Sequence, residues 1–180
     1  MKMRNKISTI FIFAAIVMVL VTGCKKTEGG SNMPEALKGD LTTIIGTIYE
    51  KAKVDLRLEN TPIDLTNKDM VKYNMGLDDA SKVKEAVVSE AMIGSQAYSL
   101  VLARVNNASD AESVAKAMLD GIDQRKWICV MADDLQIVTY NDLVMLVMVD
   151  SNLKDAVTSQ KVVDAFGEMC GSDFDLKLSK

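Results

Sequence analysis

Leu143–Val149 reads LVMLVMV and is apolar at every position. A strand with one wet face alternates apolar and polar residues, because successive side chains point to opposite faces of a sheet. A run without that alternation is a central strand covered on both sides, and any fold for this chain has to supply both covers. Leu135–Tyr140 precedes it across Asn141-Asp142, residues that tolerate the positive φ of a tight turn, so the two segments predict a hairpin. A second hairpin is predicted from Lys84–Ile93 and Ala97–Val105, joined over Gly94-Ser95-Gln96.

Helical spacing fills much of the remainder. Asp40 is placed to cap a helix that carries Leu41, Ile44, Ile45, Ile48, Tyr49 and Ala52 on one face. Residues 55–65 read as a loop around Pro62, and Thr66 with Asp69 opens a short helix through Tyr73 that closes near Gly76. Ser109-Asp110-Ala111-Glu112 has the form of a capping box, with Ser109 at the N-cap. It predicts a helix over 110–130 whose stripe runs from Ala111, Val114, Ala115, Met118, Leu119 and Ile122 toward Cys129. A last helix begins near Ser159, buries Val162, Val163, Phe166, Met169 and Cys170, and stops at Gly171.

These elements predict an α+β domain over 37–176. Its core is a four-stranded, mainly antiparallel sheet in two strand-strand-helix units, with an additional N-terminal helix pair. The helices over 110–130 and 159–170 are expected on one face of the sheet, with the opening helix over the other.

The N-terminus predicts location. Lys2, Arg4 and Lys6 precede Ile10–Val21, an apolar run of twelve residues. A membrane-spanning helix needs about 20, so the run reads as the core of a signal peptide over 1–23. It ends in Val21-Thr22-Gly23-Cys24, which resembles the lipobox of bacterial lipoproteins. That resemblance implies recognition through Val21, Thr22 and Gly23, cleavage before Cys24, and lipid attachment to the Cys24 sulfur. Acyl chains contribute about 0.8 kcal/mol per buried CH₂, so two or more anchor stably. Residues 24–36 then read as a polar, glycine-containing tether of roughly 20 Å root-mean-square span. The expected location is the outer face of a bacterial cell membrane.

Charge and residue inventory narrow the function. The net charge is −4, and removing Lys2, Arg4 and Lys6 takes it to −7. That balance argues against nucleic acid as a partner, since such binding needs clustered cations. Histidine is absent, which removes the commonest general base and metal ligand. Ser113–Lys116 and Ser151–Lys154 match S-x-x-K, a nucleophile motif of envelope enzymes, but the chain has no K-T-G or S-D-N companion. Carboxylates at Asp78-Asp79, Asp133-Asp134 and Asp173/Asp175 sit at element boundaries and read as caps. Trp127 lies off its helical stripe and is expected at a rim, while Cys129 and Cys170 are expected in the core, where a disulfide between them is open.

The lipobox, tether and opening helix are joined by the segment LTNKDMVKYNMGLD (65–78) and a closing hairpin LVMLVMVD. Together they resemble the small Gram-positive lipoproteins that carry domain-of-unknown-function 4358, over about residues 40–170. The resemblance implies fold and location and supplies no active site. The expected function is therefore a membrane-anchored, non-catalytic binding module that takes no cofactor or metal and has an envelope protein or cell-wall partner. The alternatives are a small envelope enzyme using a Ser/Lys pair and a small-ligand-binding lipoprotein.

Overall fold

The computed structural model describes residues 33–180. The expectations for the leader, for Cys24 and for most of the tether lie outside the described residues. Four α-helices and six strands follow in the order α1 (Leu41–Ala52), β1 (Leu58–Pro62), α2 (Lys68–Met75), β2 (Val83–Ala91), β3 (Tyr98–Val105), α3 (Ala111–Gly121), β4 (Asp134–Tyr140), β5 (Leu143–Val149), α4 (Ser159–Cys170) and β6 (Leu176–Ser179). The strands form one sheet, ordered β1-β2-β3-β5-β4-β6, with every neighbouring pair antiparallel.

The α+β class holds, but the four-stranded sheet is corrected to six strands. β1 and β6 are the two edges. β1 pairs Leu58–Pro62 with Val87–Ala91, and its Pro62 is tolerated because an edge strand can leave one N–H position unused. β6 pairs Leu176–Ser179 with Gln136–Thr139. β5 lies between β3 and β4, and all seven of its side chains are fully buried.

The covers are also arranged differently from the expectation. Leu100, Leu102, Met145 and Val147 face α1 and α4, whereas Val101, Ala103, Val144 and Leu146 face α2 and α3. The two long C-terminal helices therefore lie on opposite faces, and the sheet is the middle of three layers.

Local signals explain most helix ends. The Asp40 carboxylate accepts from Thr43 N at 3.0 Å, and α1 ends with Lys53 in the left-handed region. The α2 cap is Asn67, whose Oδ1 accepts from Asp69 N and Met70 N, and not the expected Thr66. The capping box is likewise corrected. Residues 108–110 form a turn of 3₁₀ helix, Asp110 takes the N-cap position without a side-chain cap, and the Ser109 hydroxyl caps nothing.

Helix α3 stops at Gly121 and not near 130. Gly76, at φ +72°, brings its backbone against Gly121 and Ile122 so closely that a Cβ on either glycine would collide with main-chain atoms of the other segment. The chain turns away there. The body also begins earlier than expected: Met33 and Leu37 are buried against the α1–α4 layer, and Glu35–Leu37 is a turn of 3₁₀ helix.

This N-terminal segment is fastened by Arg104, which is nearly closed to solvent. Its Nε donates to Glu85 at 2.9 Å, Nη1 to both Asp142 oxygens at 3.2 Å, and Nη2 to the carbonyls of Leu37 at 3.1 Å and Gly39 at 3.0 Å. The chain thus enters the body beside the C-terminal end of β3. Tyr98, at the other end of β3, is about 20 Å away at roughly 3.3 Å per residue.

Candidate functional site

The end of the sheet away from Arg104 carries the least ordinary surface of the molecule. Residues 122–133 join α3 to β4 with no regular structure, a length uncommon for a connection in a compact domain. The neck of this loop is closed on both sides of one residue pair. Ala132 N donates to the Gln124 carbonyl at 3.0 Å, and Gln124 Nε2 donates to the Ala132 carbonyl at 2.8 Å. A loop with tied ends and internal packing is an Ω-loop, a form frequently used for recognition.

Lys126 pins its middle. The side chain is 1% exposed, its Nζ lies 2.6 Å from Glu90 Oε1, and it donates to Ser99 Oγ at 3.2 Å. The ammonium also sits 4.7 Å from the Tyr73 ring centroid and 5.3 Å from that of Trp127. Burial pulls the Lys126 pKa below the ordinary lysine value, and the Glu90 carboxylate pulls it back up. Burial, followed by Glu90 and Asp123, raises the Tyr73 phenol.

With Lys126 turned inward, the following residues divide. Trp127 and Val130 pack on the α2–α3 core, while Ile128 is 99% exposed and Met131 is also exposed. The β2–β3 turn at the same end exposes Met92 and Ile93. Isolated exposed hydrophobics are ordinary. Several on one end, one of them raised entirely into water by a pinned loop, are a different case. Trp127, Cys129, Val130 and Met131 line an open groove of about 600 Å³ whose wall carries Asp133 and Asp150. Asp133 accepts from Ser151 N at 2.7 Å and Ser151 Oγ at 2.8 Å, which holds its carboxyl below the usual range.

The expected chemical groups are placed as follows. Ser113 Oγ donates to the Asp110 carbonyl at 2.9 Å and accepts from Lys82 at 3.0 Å, while Lys116 pairs with Glu112 at 2.6 Å. Ser151 is occupied by Asp133. Neither S-x-x-K match forms a serine–lysine contact. The serine–lysine contacts that do form join residues distant in sequence: Ser113 with Lys82 at the surface, and Ser99 with Lys126, which is sealed inside the protein. Asp78 pairs with Lys72 at 2.8 Å, and Asp79, Asp134 and Asp175 accept from Ser81, Ser159 and Asn141. Among the described residues no group of three or more His, Cys, Asp or Glu side chains is arranged to hold a metal.

Cys129 is exposed on the loop, against the expectation of a core thiol, because α3 ends eight residues earlier. Cys170 is buried at the end of α4, and burial, with Asp175, pushes its thiol up to about 12. Both are free, so the disulfide between them is absent. Behind the sheet from Lys126, the hydroxyls of Tyr49, Ser89 and Tyr98 are buried without hydrogen-bond partners. Burial pushes the Tyr49 phenol up to about 12 and raises Tyr98 too, so neither serves as a base near neutral pH.

Sequence reasoning missed the loop because KWICVM continues the apolar content of α3. The signal was available in Gln124-Arg125-Lys126, three polar residues that interrupt the helical stripe just past Gly121. No family model, curated protein or solved structure matches the chain.

Proposed function

We propose that this chain is a lipid-anchored, extracytoplasmic binding module that acts through the Ω-loop end of its sheet and not by catalysis. The observation that carries the reading is Ile128, held in water by a loop whose neighbouring lysine is buried and paired. Immobilising the loop before binding lowers the ordering cost of recognition, which is what a preformed contact surface requires. The lipobox-like VTGC supports the anchor.

Two measurements on the full-length chain in a Gram-positive host test this. Wild type should partition into detergent phase and Cys24→Ala should not; equal partitioning defeats the anchor. A photo-crosslinking amino acid placed at Ile128 should give discrete protein or cell-wall adducts that the same group at Lys177, on edge strand β6, does not. Adducts of equal yield at both positions, or none at Ile128, defeat the recognition surface.

A further inference from the structure

The groove beside Ile128 is apolar along the loop and acidic along its wall, and this combination restricts what can fill it. Asp133 and Asp150 line the groove, and Asp123 stands at the start of the loop, where its Oδ1 accepts from Arg125 N at 2.8 Å. Among the described residues none of the three is in an ion pair. Their polar partners are neutral: Ser151 for Asp133, and Asn152 N and Nδ2 for Asp150 at 2.9 and 2.7 Å. The cations nearby are largely committed. Lys126 is buried on Glu90 and Lys72 is paired with Asp78, which leaves Arg125 as the guanidinium that lines the groove. On the groove itself two unpaired carboxylates, Asp133 and Asp150, outnumber the one arginine, Arg125, and give an acidic wall to an apolar floor.

We infer that the groove formed by Trp127, Cys129, Val130 and Met131, with Asp133 and Asp150 on its wall and Ile128 at its lip, receives a protein segment that presents an apolar side chain flanked by lysine or arginine. The inference rests on the binding-module reading and adds the chemistry of the partner. A buried apolar anchor supplies the affinity, and cations seated opposite the carboxylates supply selectivity and encounter rate. A second copy of this chain would bring like charge to the same rim, and an anionic lipid surface would be repelled by it, so charge complementarity selects the basic partner over both.

The test uses the full-length chain in detergent micelles and fluorescence anisotropy. The probe is a labelled nonapeptide with a Leu-Trp-Leu centre flanked by lysines, with glutamate-flanked and serine-flanked peptides as controls. The lysine-flanked peptide should bind best, and its advantage over the serine-flanked one should shrink as salt rises. Ile128→Asp should weaken binding about thirtyfold, the scale of a central anchor. Asp133→Asn and Asp150→Asn, which keep the acceptor for Ser151 N and Asn152 N, should each weaken it about threefold. Equal binding of the glutamate-flanked peptide, or indifference to Ile128→Asp, overturns the proposal. Sedimentation that shows self-association lost in Ile128→Asp replaces the basic segment with a second copy. Uptake of Cys24→Ala by anionic vesicles that depends on Ile128 replaces it with a membrane. If no peptide binds while the Ile128 crosslinks persist, the partner chemistry is wrong and the binding-module reading stands; loss of the crosslinks defeats the reading itself.

Discussion

Removing the charge of Lys126 alone should cost more stability than removing it together with that of Glu90. Lys126→Met keeps an unbranched stem between Tyr73 and Trp127 but leaves Glu90 Oε1, an atom closed to solvent, without its cation. Breaking one side of a buried ion pair costs about 3–5 kcal/mol. The Glu90 side chain keeps 30% exposure, so part of the carboxylate stays hydrated and the lower end, about 3 kcal/mol, applies. At about 2–4 °C per kcal/mol for a chain of this size, Tm falls by about 6–12 °C. In Lys126→Met/Glu90→Gln no charge is stranded, and the loss should shrink to about 1 kcal/mol, about 2 kcal/mol less than in the single variant.

Thermal and urea unfolding followed by circular dichroism measure the losses. Emission from Trp127, the single tryptophan of the chain, reports the loop directly, because its ring lies beside the Lys126 ammonium. The pH dependence has a definite sign. Burial puts the folded-state pKa of Lys126 below 10.5, so between that value and 10.5 the unfolded chain binds more protons and stability rises with pH. Below that window the cost of the buried charge is present in full. Wild type should therefore gain on the double variant as pH is raised into it. A single-variant loss under about 1 kcal/mol, or losses of the two single variants that simply add in the double, would refute the account of Lys126 as the pin of the loop.

Two further outcomes follow from the buried groups. Arg104→Met leaves the Leu37 and Gly39 carbonyls without their donor, while Glu85 and Asp142, 48% and 32% exposed, stay hydrated, so it should cost about 2–3 kcal/mol. It should also raise hydrogen exchange over residues 33–40 well above that of β5, and continued protection of that segment would contradict the fastening role. In the Cys24→Ala chain, Cys129 should react with a thiol reagent in the native protein, while Cys170, buried and raised to about 12, should react only on unfolding; equal native rates would contradict the assignment.

Where a segment's environment is imposed by its own residues, the amino-acid sequence was sufficient. LVMLVMV has no polar position to turn toward water, so it had to be covered on every side, and its length and flanking turn read as a strand; β5 is one. The stripes of α1 and α4, the Asp40 cap, the left-handed Gly76 and Gly171 and the Asn141 turn are local signals of the same kind, each completed within a few residues. The edge strands were not legible, because LENTP and LKLS carry little burial of their own and become strands only when the edges of β2 and β4 offer them hydrogen bonds. Nor could the sequence separate the two long helices onto opposite faces, since an apolar stripe states that a helix packs and not on which side. The end of α3 was decided by Gly76, a backbone 45 residues away from Gly121 in the chain, and the loop beyond it by Glu90. An apolar hexamer after a lysine reads as more helix until a distant carboxylate claims that lysine, and only the tertiary structure brings the carboxylate there.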